Sequence, residues 1–363
     1  MKARILSIDI FRGLTIMLMI TVNTPGSWTY VHPSLLHAKW HGVNPADLVF
    51  PFFLFAIGLS MSISWAKNQQ LGKAEQLEKL LKRSLLIVLV GFLLNWFPFY
   101  TQSLFEVRVF GILQRIGLSY LLAGSWLLLV GNREQLLIPL IVILLLGYWG
   151  ITTLGGDYTL EGNLNNKIDH LLLPEINIYK GFGIRFDPEG ILGIISSSAQ
   201  ILIAYLLGLQ LMKYRDNLKQ FLKIGSLAGI VFLVVGALWG LVYPINKPLW
   251  TSSYVLYTSG LAACLLVLLV YILDILKIKS WSLPLRVFGM NPLFSFLLSI
   301  ILVKILATVI KIDGKGLYGI IYQTIFQPTF GNYLGSFVFA ITMVLIVYGA
   351  AYLLYRRSIV VKL

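Results

Sequence analysis

Apolar residues in this chain come in long unbroken blocks, with polar residues collected between them. Ten blocks are long enough to cross a bilayer, near 7–27, 46–66, 84–100, 109–130, 134–153, 191–212, 221–243, 251–274, 286–309 and 334–355. A spanning helix needs about 20 apolar residues, and 84–100 is the shortest of the set. The pattern predicts an all-α fold, a polytopic helix bundle of about ten transmembrane helices. Neither an internal repeat nor a low-complexity tract nor a separate soluble domain is visible, so residues 1–363 are expected to form a single integral-membrane domain.

Composition points the same way. The chain is 58% hydrophobic and only 12% charged, where a soluble domain carries about 25% charged residues. The surplus apolar surface requires a lipid bilayer as partner. The first block holds Asp9, Arg12 and Asn23 and is not followed by a small-residue cleavage site, so it is expected to be a retained helix. The single cysteine, Cys264, lies within an apolar block, which excludes an intrachain disulfide and suits helix packing.

The net charge of +14 would suit nucleic acid, but its distribution argues against such a partner. With the N-terminus inside, 19 of the 29 basic residues fall in inside segments, Lys2, Arg4 and Lys362 among them. Nine fall outside or near it, and Arg115 lies within a span. Cytoplasmic loops collect Lys and Arg in this way. Segment 67–83 alone holds five: Lys67, Lys73, Lys79, Lys82 and Arg83. Both termini are therefore expected to be cytoplasmic.

The polar segment between the first two spans, NTPGSWTYVHPSLLHAKWHGVNPADLVFP, carries three of the four histidines, His32, His37 and His41. Titratable groups beside membrane-length helices are costly and usually functional. His37 and His41 have a metal-compatible spacing, but Pro33, Gly42 and Pro45 oppose a helix there and a zincin glutamate is missing, so no metal is expected. An imidazole is the side chain best suited to take a proton from an amine or hydroxyl near neutral pH, which makes His37 a candidate general base. Asn23 could orient it or donate to a developing oxyanion. The same residues also suit a structural polar loop, the reading preferred for His32.

Other polar positions interrupt the apolar blocks. Asp9 and Arg12 share a helix face, as an intrahelical pair or as a contact for an anionic cytosolic ligand. Gln114 and Arg115 sit in the otherwise apolar FGILQRIGLSY, where an arginine needs a cavity, partner or ligand. Asp187 and Glu189 in FDPEGILG are placed to cap a following helix, and Asn246 and Lys247 in YPINKPLWTSS lie at the outer interface. Asn291 precedes Pro292, which frees a backbone carbonyl early in the ninth span and marks a break of the cavity-lining kind.

Taken together, SIDIFRGLTIMLMITVN, LLHAKWHGVNPADLVFPFFLF, RVFGILQRIGLSY, FDPEGILG, INKPLWTSSYVLYTSG and FGMNPLF resemble the heparan-α-glucosaminide N-acetyltransferase family of transmembrane acyltransferases, bacterial members included. The motifs run in the family's order from residue 7 to about 293. The resemblance implies transfer of acetyl from cytosolic acetyl-CoA, as co-substrate, to an amino sugar or glycan acceptor across the membrane. It makes His37 catalytic, Asn23 its partner and Asp47 a support of the site. His41 receives no role, because the family's matching position is commonly another polar residue. Arg12, Gln114, Arg115 and Asn291 become candidates for the CoA side. The resemblance also implies a homodimer, and a bacterial inner membrane is the expected location. The family's animal members have an added luminal domain and one further span not found in this sequence, so the acceptor need not be heparan sulfate. A rival reading from another class is a secondary transporter exporting a small anion through the same Arg115 and broken helix. The lack of a repeat and the histidine-rich outer segment weigh against it.

The charge distribution gives a direct test. In a Cys264→Ala background, Ser34→Cys and Gln70→Cys should react oppositely with an impermeant thiol reagent on intact cells: Ser34→Cys labelled, Gln70→Cys protected. Equal labelling of the two sites would sink the orientation.

Overall fold

The computed structural model describes residues 5–68 and 70–361. Lys2, Arg4 and Lys362 lie outside the described residues. The described residues fold as a helical bundle with one two-stranded hairpin. The helices are α1 (Leu6–Asn23), α2 (Val49–Asn68), α3 (Lys73–Trp96), α4 (Ile112–Val130), α5 (Glu134–Gly155), α6 (Leu164–Leu172) and α7 (Ile194–Lys213). They continue with α8 (Leu218–Trp239), α9 (Ser252–Leu269), α10 (Leu283–Met290) and α11 (Pro292–Lys304). After the hairpin, β1 (Lys311–Ile312) and β2 (Lys315–Gly316), come α12 (Leu317–Ile321), α13 (Gln327–Phe330) and α14 (Asn332–Arg356).

Among the described residues, nine helical stretches are long and apolar enough to cross a membrane. Each coincides with an apolar block of the sequence. The remaining block, 84–100, forms the second half of α3. Its first half carries Lys73, Glu75, Glu78, Lys79, Lys82 and Arg83, so only the part from Ser84 onward is apolar enough to be buried in lipid. The connection expected over 67–83 is thus mostly helix, with Lys79 and Glu75 paired one turn apart at 2.9 Å.

The helices at the centre are α2 and α7. Buried residues make up 78% of each apolar window, against 28% for α5 and 22% for α8, which leaves α5 and α8 toward lipid. Water-driven burial does not hold helices together within a bilayer, so close backbone approach must do so. Gly13 and Gly289 provide it between α1 and α10. A Cβ at Gly13 would fall 1.7 Å from the Leu285 carbonyl oxygen, and one at Gly289 would fall 1.9 Å from that of Asp9. In α8, Gly225 and Gly229 form a G-x-x-x-G face against α9, where a Cβ at Gly229 would lie 2.8 Å from Cys264 Sγ. Cys264 is therefore the helix-packing residue its surroundings suggested.

Helix ends buried beside the membrane need partners for their carbonyls. Lys304 supplies them for α3, donating to the carbonyls of Leu94 (2.6 Å), Asn95 (3.2 Å) and Phe97 (2.9 Å). The break expected at Asn291–Pro292 divides the ninth block into α10 and α11.

The backbone contact at Gly13 has a measurable consequence. Gly13→Val forces α1 and α10 apart and should lower the melting temperature in detergent by about 5 °C or more. Gly349→Ala, where a Cβ meets nothing within 4 Å, should leave it unchanged.

Candidate active site

The segment between α1 and α2, expected from the charge distribution to face outside, is held in place by its own contacts. Gly42 adopts φ of 102°, a left-handed value that turns the chain after His41, and its amide donates to the Ile245 carbonyl at 2.8 Å. Asn246 donates to the Trp40 carbonyl (2.9 Å), while Trp40 Nε1 donates to the Tyr158 carbonyl (2.7 Å). Trp40 also packs edge-on against Phe182 and Phe186. Four loops from the same end of the bundle are thereby tied together around one cavity.

Asp47 is the fixed point of that cavity. It sits just ahead of α2 with its side chain 1% exposed. Oδ2 accepts the Ala38 amide at 2.9 Å and the Asn44 amide at 3.0 Å, and Oδ1 lies 2.8 Å from His37 Nδ1. Tyr254 donates to the Asp47 carbonyl at 2.6 Å. His37 itself is 48% exposed, so the carboxylate holds one ring nitrogen while the ring faces the cavity. A carboxylate on Nδ1 fixes the tautomer that leaves Nε2 free to accept a proton.

Lys247 closes the group. Its Nζ is 3.3 Å from Asp47 Oδ1, 3.1 Å from His37 Nδ1 and 3.5 Å from His37 Nε2. Burial pulls the Lys247 ammonium below its ordinary range, opposed by the charges of Asp47 and Glu189. The cavity, about 380 Å³, is lined by His37, Asp47 and Lys247 together with Trp40, Arg108, Tyr179, Phe182, Glu189 and Trp250.

Arg108 bridges Asp187 and Glu189 across the cavity wall. It contacts Asp187 at 2.9 and 2.6 Å and also bonds Glu189, while its guanidinium lies over the Tyr179 ring at 4.3 Å. Burial alone would ease its deprotonation, but these two carboxylates hold its pKa above the ordinary value. The acids that the sequence suggested as caps for the next helix instead bind this arginine, since α7 starts only at Ile194. Arg115, 1% exposed, lies over the Trp250 ring at 4.9 Å and donates to the Gly190 carbonyl at 3.2 Å. Nearby, burial raises the Asp169 carboxyl to about 7, although Oδ1 accepts the Ile191 amide.

A second, narrower cavity of about 100 Å³ lies toward the other end of the bundle, lined by Arg12, Ser60, Arg83, Tyr120 and Pro292 among others. Arg12 pairs with Asp9 at 2.5 Å, and Arg83 stacks over Tyr120 at 5.0 Å. Ile112 lines the outer cavity and Ile116 the inner one. These positions are four residues apart on α4, about 6 Å along the axis.

The candidates named from sequence separate accordingly. His37 and Asp47 come together. Asn23 ends α1, half-buried, and is neither among the outer cavity's lining residues nor hydrogen-bonded to His37. Arg12 lines the inner cavity. Gln114 packs between α3 and α4, with Oε1 against Gly91 and Gly111. Asn291 binds the chain's last described stretch, Nδ2 to the Ile359 carbonyl and Oδ1 to the Val361 amide. His32 caps a short turn through Ser34, and His41 contacts Asn246, with burial lowering its pKa. Among the described residues, no group of three His, Cys, Asp or Glu side chains could hold a metal. Arg83, Arg108, Glu189 and Lys247 were not selected as site residues from sequence. Lys247 had one signal, a basic residue between two prolines in an outside loop.

The fold defines a multi-pass membrane protein with a polar cavity at one end of its bundle. Residues 4–166 match the family described as heparan-alpha-glucosaminide N-acetyltransferase, catalytic. The chain is 30% identical over 272 residues to the heparan-alpha-glucosaminide N-acetyltransferase of Mus musculus and 29% identical over 272 residues to that of Homo sapiens. Each match covers 60% of this chain and 40% of the relative, so the chain spans well under half the length of these proteins. The resemblance to this family drawn from the motifs is borne out.

If His37 is the base, His37→Ala should lower acetyl-transfer turnover by about two to four orders of magnitude, with little change in acetyl-CoA affinity. His32→Ala should cost far less. Both are read from radiolabelled transfer to glucosamine by purified protein in detergent, and a near-normal His37→Ala would remove the base from the mechanism.

Proposed function

We propose that this chain is a transmembrane acetyltransferase that moves acetyl from cytosolic acetyl-CoA to an amino sugar or glycan amine on the far side of the membrane. The observation that carries this reading is the pair of cavities. One holds the His37–Asp47 pair, the other holds Arg12 and Arg83, and their linings come within one turn of each other on α4. The relatives' names support the reaction type.

The roles follow from that arrangement. Arg12 and Arg83 provide cations for the phosphates of the CoA nucleotide, which is too polar to enter lipid. Tyr120 and the Pro292 break flank the path of the pantetheine arm. Acetyl-CoA cannot cross the membrane, and the hydrocarbon core is about 30 Å thick, more than that arm can span. The thioester therefore meets the acceptor in the recessed outer cavity. There His37 Nε2 takes the acceptor's proton and Asp47 holds Nδ1; the resemblance implies Asn23 as its partner, although that residue ends α1 outside the lining of this cavity. Trp40, Tyr179 and Phe182 offer the flat apolar faces that sugar rings stack on. A homodimer in a bacterial inner membrane is part of the same proposal.

Sidedness tests the reading. In right-side-out vesicles, transfer to an external amine should require acetyl-CoA in the lumen, and external acetyl-CoA should be inert. Equal activity from either side would reject the threaded arrangement.

A further inference from the structure

The outer cavity contains a cation with more donors than its carboxylate takes up. Lys247 Nζ lies 3.5 Å from His37 Nε2, the atom that faces the acceptor, and 3.3 Å from Asp47 Oδ1. An ammonium has three N–H groups. Asp47 takes one. His37 Nδ1, at 3.1 Å, carries its own proton toward Asp47 and cannot accept another. Nε2, at 3.5 Å, can take a second, which leaves one Lys247 N–H at the cavity wall beside it.

The backbone around this lysine is fixed before any substrate arrives. Asn246 Oδ1 accepts the Leu249 amide at 2.7 Å, the Lys247 carbonyl accepts the Trp250 amide at 3.0 Å, and Thr251 Oγ1 donates to the Pro244 carbonyl at 2.9 Å. Pro248 follows directly, and Trp250 is held at φ of 52°, a left-handed value that a tryptophan adopts only when its surroundings impose it. A donor held this rigidly needs no reorganisation when charge develops beside it, the condition for strong oxyanion stabilisation.

We infer that Lys247 is a catalytic residue of the acetyl transfer, donating a hydrogen bond to the thioester oxygen as it becomes an oxyanion. This rests on the acetyltransferase reading. The acceptor nitrogen attacks the acetyl carbon, the N–C bond forms and the carbonyl π pair moves onto oxygen, where Lys247 stabilises it. His37 Nε2 takes the amine proton. On collapse the C=O bond reforms, the C–S bond breaks with its electron pair on sulfur, and the proton held by His37 passes to the thiolate. The products are the amide and CoA. Besides His37 and Asp47, the charged group facing Lys247 is Glu189 across the cavity, itself bound by Arg108. Burial pulls the Lys247 ammonium below the ordinary lysine range, so the donor is lost as pH rises at a lower pH than an exposed lysine would show.

The test uses the purified full chain with acetyl-CoA and glucosamine. Lys247→Met should lower kcat about 10²- to 10³-fold while KM for acetyl-CoA stays within about threefold, because the donor acts on the transition state. Wild-type kcat should fall on the alkaline side below about pH 10.4, the ordinary lysine value. Lys247→Arg, which keeps its proton, should retain part of the activity and lack that fall. Lys247→Met with more than a third of wild-type kcat would overturn the assignment alone. An alkaline limb unchanged in Lys247→Arg would do the same, and it decides the matter should Lys247→Met not fold. A wild-type protein without transfer activity would overturn the acetyltransferase reading and the lysine's role together.

Discussion

A single carboxylate organises the outer end of this molecule. Asp47 is 1% exposed at the start of a helix whose following residues are almost entirely apolar. A charge in that position is tolerable only when every lone pair finds a donor. The amides of Ala38 and Asn44 wrap one oxygen, and His37 and Lys247 approach the other. The loop after α1 bends back to supply the first three, and the loop after α8 supplies the fourth. The shape of the cavity thus follows from the solvation of one acid. Bonds from charged groups of this sort contribute roughly 1.5–3 kcal/mol each.

The same rule governs the other polar groups. Arg108 answers Asp187 and Glu189, Lys304 answers the end of α3, and Asn291 answers the backbone of the C-terminal stretch. Each resolves a local polar demand next to lipid, and each ties segments distant in sequence. Arg115 differs. Its Nη2 reaches a carbonyl, but Nε and Nη1 find no hydrogen-bond partner among the described residues. It sits under Trp250, the floor of the outer cavity, and beside Asp169.

The linings of the two cavities come within one turn of each other on α4, at Ile112 and Ile116, and the proposed chemistry depends on that proximity. The glycine contacts of α1 with α10 and of α8 with α9 draw those helix pairs close together.

Hydropathy is a local property, so the sequence by itself determined what depends on local composition. That includes the helical bundle, the positions of the spans, the interruption at Asn291–Pro292 and the concentration of titratable groups in one outer segment. Motif order carried the resemblance, and with it His37 and Asp47. Tertiary structure alone decided which side chains meet. Lys247 is 210 residues from His37 and Arg108 is 79 from Asp187. No spacing rule reaches that far, because such pairs depend on which helices the small residues allow to approach. For the same reason Arg12 found the inner cavity while Gln114 and Asn291, equally polar in sequence, were taken up in packing and in binding the backbone.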